Sequence, residues 1–234
     1  MSIAENIARV RERCASAAER AGRSSQEITL LAVTKTVSPE YILSARESGI
    51  THFGENYVQE AKSKVGIPPL NKPDISWHLI GHLQSNKVRE VVGKFAVIQS
   101  VDSLALAQEI SKRAVALGIV QQLLLEVKLD ANPAKFGFGV DDLPSAVERI
   151  GSLEGIQIRG LMGMAPFTPS EVVVRSAFQT LYQLFEHLPH PMRYTLSMGM
   201  TGDFEIAIEE GATLVRIGTA IFGSRSQANS SLLG

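Results

Sequence analysis

Apolar residues recur at Ile3, Ile7, Val10, Cys14 and Ala17, in steps of four and three, and the run stops at Gly22. That spacing predicts an amphipathic helix. Ile28–Val33 then reads as an apolar strand, followed by Ser38 as a cap, Pro39 at the first helical position, Ile42 and Ala45 on one face, and Gly49 as a stop. The strand, loop, helix unit repeats. His52–Phe53 precedes a helix around Tyr57–Lys64, and Trp77–Ile80 precedes one around Asn86–Val92. Phe95–Gln99 leads to Ser103–Leu117, with Asp102 as the expected cap and Gly118 as the stop. Leu123–Lys128 leads to Leu143–Ile150, and Ile156–Leu161 to Glu171–Leu188, whose face carries Phe178, Leu181, Leu184, Phe185 and Leu188. Tyr194–Ser197 precedes Phe204–Glu210, and Leu214–Ile217 precedes a last helix starting near Thr219.

Eight apolar strands, each followed by a helix, imply a parallel sheet covered on both faces. In a chain of 234 residues they fit a single (β/α)8 TIM-type barrel with an extra N-terminal helix, a fold that takes ~250 residues. An open doubly wound sheet has the same periodicity and stays the alternative. The proline patch Ile67-Pro68-Pro69-Leu70-Asn71-Lys72-Pro73 reads as a stiff loop between helix and strand, so residues 1–234 are taken as one domain.

Composition narrows the class. Lys and Arg total 23 against 24 Asp and Glu, a net charge of −1, and 44% of residues are hydrophobic. Disorder and electrostatic capture of nucleic acid are therefore not expected. Arg9, Arg11, Arg13 and Arg20 alternate with Glu5, Glu12 and Glu19 as a solvated helix face. A single cysteine, Cys14, and no charged-then-apolar leader at Met1–Arg11 point to a cytoplasmic protein. No apolar run approaches the ~20 residues that cross a bilayer.

Chemistry in a barrel gathers at the C-terminal ends of the strands. Lys35 directly follows Leu30-Leu31-Ala32-Val33-Thr34; it is either a solvated lysine at a strand end or a nucleophile toward an aldehyde. Ser197-Met198-Gly199-Met200-Thr201-Gly202-Asp203 follows the seventh strand, with Asp203 placed to cap the next helix, and Arg216-Ile217-Gly218-Thr219-Ala220-Ile221-Phe222-Gly223 leaves the eighth. These loops serve as tight turns or as a phosphate cradle, and loops seven and eight are where barrels place one. Phe136-Gly137-Phe138-Gly139 lacks the third glycine of a dinucleotide fingerprint. His78 and His82 have no third partner at metal-binding spacing, so no metal site is expected and His78 reads as packed or hydrogen-bonded near the mouth of strand three.

Four segments together carry a resemblance: Leu30-Leu31-Ala32-Val33-Thr34-Lys35, Phe53-Gly54-Glu55-Asn56-Tyr57-Val58-Gln59-Glu60, Trp77-His78-Leu79-Ile80-Gly81-His82-Leu83-Gln84-Ser85-Asn86-Lys87, and the two C-terminal glycine loops. Across essentially its whole length the sequence resembles the pyridoxal 5′-phosphate homeostasis proteins, also called PLP-binding proteins. The resemblance implies a barrel like the N-terminal domain of alanine racemase, with pyridoxal phosphate held as a Schiff base on Lys35. It implies that Ser197, Gly199, Met200, Gly218 and Thr219 hold the phosphate, that Arg216 faces the pyridine nitrogen, that Asn56 sits near the ring hydroxyl, and that His78 and Met162 line the pocket. An arginine cannot accept a proton, so the ring would be a weak electron sink. Racemisation would also need a second base, and unless Tyr57, Tyr41 or His82 supplies it that base is missing. The expectation is a monomeric, non-catalytic protein that buffers the cofactor or delivers it to PLP-dependent apoenzymes, engaging neither nucleic acid nor membrane. An amino-acid racemase and a Schiff-base aldolase acting on phosphorylated sugars are the alternatives.

Overall fold

The structure, a computed structural model, describes residues 2–130 and 135–223. Helix α1 (Ile3–Arg20) begins at Ser2, whose hydroxyl accepts from the Glu5 N–H while the Glu5 carboxylate accepts from the Ser2 N–H. This reciprocal cap satisfies two of the donors a helix start leaves open. The buried face of α1 is Ile7, Val10, Cys14, Ala17 and Ala18, the periodicity read from the sequence.

Eight strand and helix pairs follow in the order β1 (Thr29–Val33), α2 (Pro39–Glu47), β2 (His52–Glu55), α3 (Val58–Ala61), β3 (Ser76–Leu79), α4 (Val88–Val91), β4 (Val97–Val101), α5 (Leu104–Leu117), β5 (Gln121–Val127), α6 (Leu143–Gly151), β6 (Ile156–Gly163), α7 (Glu171–Glu186), β7 (Thr195–Ser197), α8 (Phe204–Glu209), β8 (Leu214–Ile217) and α9 (Thr219–Phe222). Each strand pairs in parallel with the next, and β8 pairs with β1 through Thr29↔Leu214, Leu31↔Arg216 and Ala32↔Ile217. That last pairing closes the barrel and rules out the open sheet. Helix α1 lies over the seam, packed on α2, α8 and α9, with Asn6 Nδ2 donating to the Ile221 carbonyl and Arg13 paired with Glu205 across the ring of Phe204.

Of the differences from the periodicity, two bear on the site. The helix expected around Tyr57–Lys64 shortens to Val58–Ala61, and Lys64 turns into a buried ion cluster described below. Asp102 does not cap α5; Ser103 does, its hydroxyl accepting from the Leu106 N–H, while Asp102 engages a histidine.

Apolar side chains between strands and helices, among them Phe53, Leu79, Ile98, Ile110, Phe178 and Phe204, form the outer core. Leu31, Leu124, Met162 and Leu214 are buried apart from it. The groups that cross between the strands on the inner side are polar: His78, Gln99, Ser197 and Arg216. Apolar branched side chains usually fill that space, so a polar interior marks this barrel's working part.

Candidate functional site

Arg216, on β8, is 4% exposed and donates from one guanidinium nitrogen to the Ser197 carbonyl (2.8 Å) and hydroxyl (2.7 Å), and from another to the Gly163 carbonyl (2.9 Å). Because arginine only donates, the Ser197 hydroxyl must spend its own proton on Gln99 Oε1, 2.6 Å away. The Gln99 amide nitrogen then donates to His78 Nδ1 at 2.9 Å. That places the His78 proton on Nε2, facing His52 Nδ1 at 3.0 Å. Every acceptor end in this chain, from β2 to β8, points back toward the guanidinium, so aligned dipoles solvate a cation that water does not reach. Burial, opposed by the charges of Glu126 and Asp203, still holds Arg216 down at about 10. Burial also pushes His78 down to about 3 and His52 below its usual range. Both rings are therefore neutral at physiological pH. No hydrogen-bond partner of Arg216 among the described residues is a carboxylate; Glu126 and Asp203 act on it through their charges alone.

Lys35 lies just past the C-terminal end of β1, in the turn Thr34–Thr36. Thr36 adopts φ +63°, a left-handed conformation that a β-branched residue takes only when its surroundings impose it. Here Glu60 Oε1 accepts from the Thr36 N–H at 2.5 Å. Lys64 Nζ reaches the same oxygen (2.6 Å), Glu55 Oε1 (3.0 Å) and the Thr34 carbonyl (2.7 Å), and the Thr34 hydroxyl donates to Glu55. Lys64 is 6% exposed and Glu55 is fully buried; burial raises the Glu55 carboxyl against the pull of Lys64. Both ends of the lysine turn are thus tied to one ion cluster on the helix side of the barrel. Next to it, Asn56 Oδ1 is buried with no hydrogen-bond partner among the described residues, an acceptor ready for a ligand donor.

The two glycine loops flank Arg216. Gly199 has φ +91°, and a Cβ there would stand 2.6 Å from the Ala207 Cβ and 2.9 Å from the Phe204 Cα, so only glycine fits between the loop and α8. Among the described residues, the backbone N–H groups of Gly199, Gly218 and Thr219 donate to no protein acceptor. Open N–H groups gathered at two glycine loops suit a phosphate. Two groups expected at the phosphate already have protein partners. The Met200 N–H is already taken by Asp203 Oδ1 at 2.6 Å, so Asp203 ties back into its own loop instead of capping α8 forward. The Ser197 hydroxyl donates to Gln99 and accepts from Arg216 inside the barrel, so its proton is already used.

His78 is buried and hydrogen-bonded, as its place near strand three suggests. It sits inside the barrel below Leu79 and Ile80 with both nitrogens engaged, and supports the site through Gln99. Met162, 1% exposed, pairs across β6 and β7 with Ser197 and so lies on the inner floor. Sequence reading missed Gln99, Glu126 and the Lys64 cluster, because isolated polar residues within strands and one-turn helices carry no local signature. Glu126, on β5, is pushed up to about 7 by burial and the Asp102 charge, against Arg216 and Lys135.

The family described as "Alanine racemase, N-terminal domain" matches residues 2–226. The chain is 42% identical to a pyridoxal phosphate homeostasis protein of Aquifex aeolicus, over 96% of this chain and 99% of that one. Its fold is similar to that of PipY from Synechococcus elongatus, solved with PLP bound, with a TM-score of 0.82, 37% identity and coverage of 95% and 100%. Alanine racemase from Streptomyces coelicolor shares the fold at a TM-score of 0.68 and 19% identity, this chain covering 58% of it.

Proposed function

Because this chain belongs to the pyridoxal phosphate homeostasis protein family, we propose that it binds pyridoxal 5′-phosphate at the mouth of its barrel and buffers or delivers it. The carrying observation is a fully buried arginine whose hydrogen-bond partners are neutral oxygens, set between loops that offer three open backbone N–H groups. Lys35 would hold the aldehyde covalently; Gly199, Gly218 and Thr219 the phosphate; Arg216 the pyridine nitrogen; Asn56 the ring hydroxyl. When bound, the group supplies an aldehyde that condenses with amines. Ser197, His78 and Met162 support these contacts from beneath, and Met200 offers its loop without its own N–H.

The reading extends to a single-domain, monomeric, cytoplasmic protein that turns over no substrate and hands its cofactor to PLP-dependent apoenzymes. No helix among the described residues is long and apolar enough to cross a membrane. An arginine that only donates leaves the ring without the proton that strong electron withdrawal needs.

The test is the visible spectrum of the purified protein. Wild type should carry a yellow, borohydride-trappable adduct on Lys35, and Lys35→Ala should have neither. An adduct persisting on another lysine overturns the assignment. Exchange of amino-acid α-protons in heavy water above ~1 per second would make the protein a racemase instead.

A further inference from the structure

The binding reading leaves one cluster unused. His82, in the loop after β3, places Nδ1 3.0 Å from Asp102 Oδ2 at the end of β4. The ring stacks on Phe136, with centroids 3.7 Å apart and planes 13° from parallel. Phe136 is held there because Phe138 pairs with the end of β5, donating to the Glu126 carbonyl at 2.7 Å and accepting from the Lys128 N–H at 2.9 Å. The loop of His82 is fixed against the cofactor side: a Cβ on Gly81 would run into the Asn56 carbonyl, and the Ser100 hydroxyl donates to the Gly81 carbonyl at 2.6 Å. Three strand ends thus orient the imidazole of a loop whose Gly81 backbone packs directly on Asn56. Asp102 is 10% and His82 35% exposed at the side chain, so the carboxylate is fixed and the imidazole open.

A carboxylate that accepts Nδ1–H fixes the tautomer and leaves the Nε2 lone pair outward, the arrangement of a general base. A carrier that holds its cargo covalently needs such a group. Primary amines are ammonium ions at neutral pH and cannot attack until they lose a proton. We propose that His82, oriented by Asp102, is the proton acceptor that lets a primary amine displace Lys35 from the cofactor, an inference that rests on the binding reading above. His82 Nε2 takes a proton from the entering ammonium. The freed nitrogen pair adds to the carbon of the Lys35 imine, opening its double bond onto Nζ. A second proton passes from the entering nitrogen to Nζ as the carbon–Nζ bond breaks with its pair staying on Nζ and the entering nitrogen forms the new double bond. Nζ then takes up the proton held on His82, so both protons lost by the entering ammonium end on Nζ and no oxidant or further reactant enters. The recipient class is primary amines, free amino acids and protein lysines alike.

The test compares two nucleophiles on cofactor-loaded protein: alanine, an ammonium ion at neutral pH, and hydroxylamine, already unprotonated. In His82→Asn, release to alanine should slow roughly 10²-fold, the scale of general-base catalysis, with release to hydroxylamine and the resting spectrum unchanged. Asp102→Asn should give a smaller effect of the same pattern. Nitrogen NMR of the cofactor-free protein should find His82 in its neutral form protonated on Nδ1. Equal slowing for both nucleophiles, no slowing, or a proton on Nε2 would each overturn the role of His82. Absence of any lysine-linked chromophore in wild type would instead overturn the binding reading.

Discussion

Ser197 stands between Arg216 and Gln99 and can serve only one purpose. Its hydroxyl accepts from the guanidinium and donates to Gln99, so its removal should loosen Arg216 without touching the phosphate loops. Losing a hydrogen bond to a charged group costs ~1.5–3 kcal/mol, about ten- to a hundredfold in affinity. Ser197→Ala should therefore weaken pyridoxal and pyridoxal phosphate by the same factor, measured by titration of the cofactor-free protein. A loss confined to the phosphorylated form would place the hydroxyl on the phosphate after all. The positions of Lys35, Arg216 and Ser197 at strand ends were legible from the chain. Which way the Ser197 hydroxyl faces was not, because Gln99 is 98 residues away.

Among the elements, the turn after β1 is governed from α3 and the residues just beyond it. Glu60 and Lys64, four apart, close the cluster that pins Thr34 and Thr36. Removing one partner of a buried ion pair leaves the other charge uncompensated, at ~3–5 kcal/mol. Lys64→Met should lower stability by about 3 kcal/mol in urea denaturation and speed exchange of the Thr36 amide. Adding Glu55→Gln should recover part of that loss. A Lys64→Met protein with wild-type stability and exchange would make the cluster an ornament of the turn. The sequence showed the helix signal at Tyr57–Lys64 but not its early end, since the gain from seating Lys64 against Glu55 appears only once β2 is in place.

The whole molecule carries a polar stack through its centre, and acid should find it. His78 falls from 6.5 to about 3 on folding, so the unfolded chain binds more protons between those values and stability is lost as pH falls through that window. Glu126 rises from 4.5 to about 7, the opposite sign: its contribution is complete below pH 4.5 and disappears as pH rises through 7. Below 4.5 Glu126 is protonated in both states, and the His78 slope stands alone of the two. At about 1.4 kcal/mol per pH unit, His78 should remove roughly 2 kcal/mol between pH 4.5 and 3. In His78→Gln the fall in stability across that interval should be shallower by that amount, read from urea midpoints. Equal slopes would mean that the ring opens to water before it titrates.

The order of elements, the parallel eightfold repeat, α1 and the placement of Lys35, Arg216 and both glycine loops at strand ends were all determined locally. Each depends on apolar spacing, caps and glycine stops within a few residues of chain. Barrel closure was decided by the pairing of β8 with β1, which joins residues 185 positions apart, as Thr29 and Leu214 are. The direction of the hydrogen-bond chain, the turn geometry at Thr36 and the joining of His82 to Asp102 were decided in the same way. Each of these depends on a donor meeting one acceptor at under about 3.3 Å, and residues distant in sequence reach that range only when the barrel brings their strand ends together.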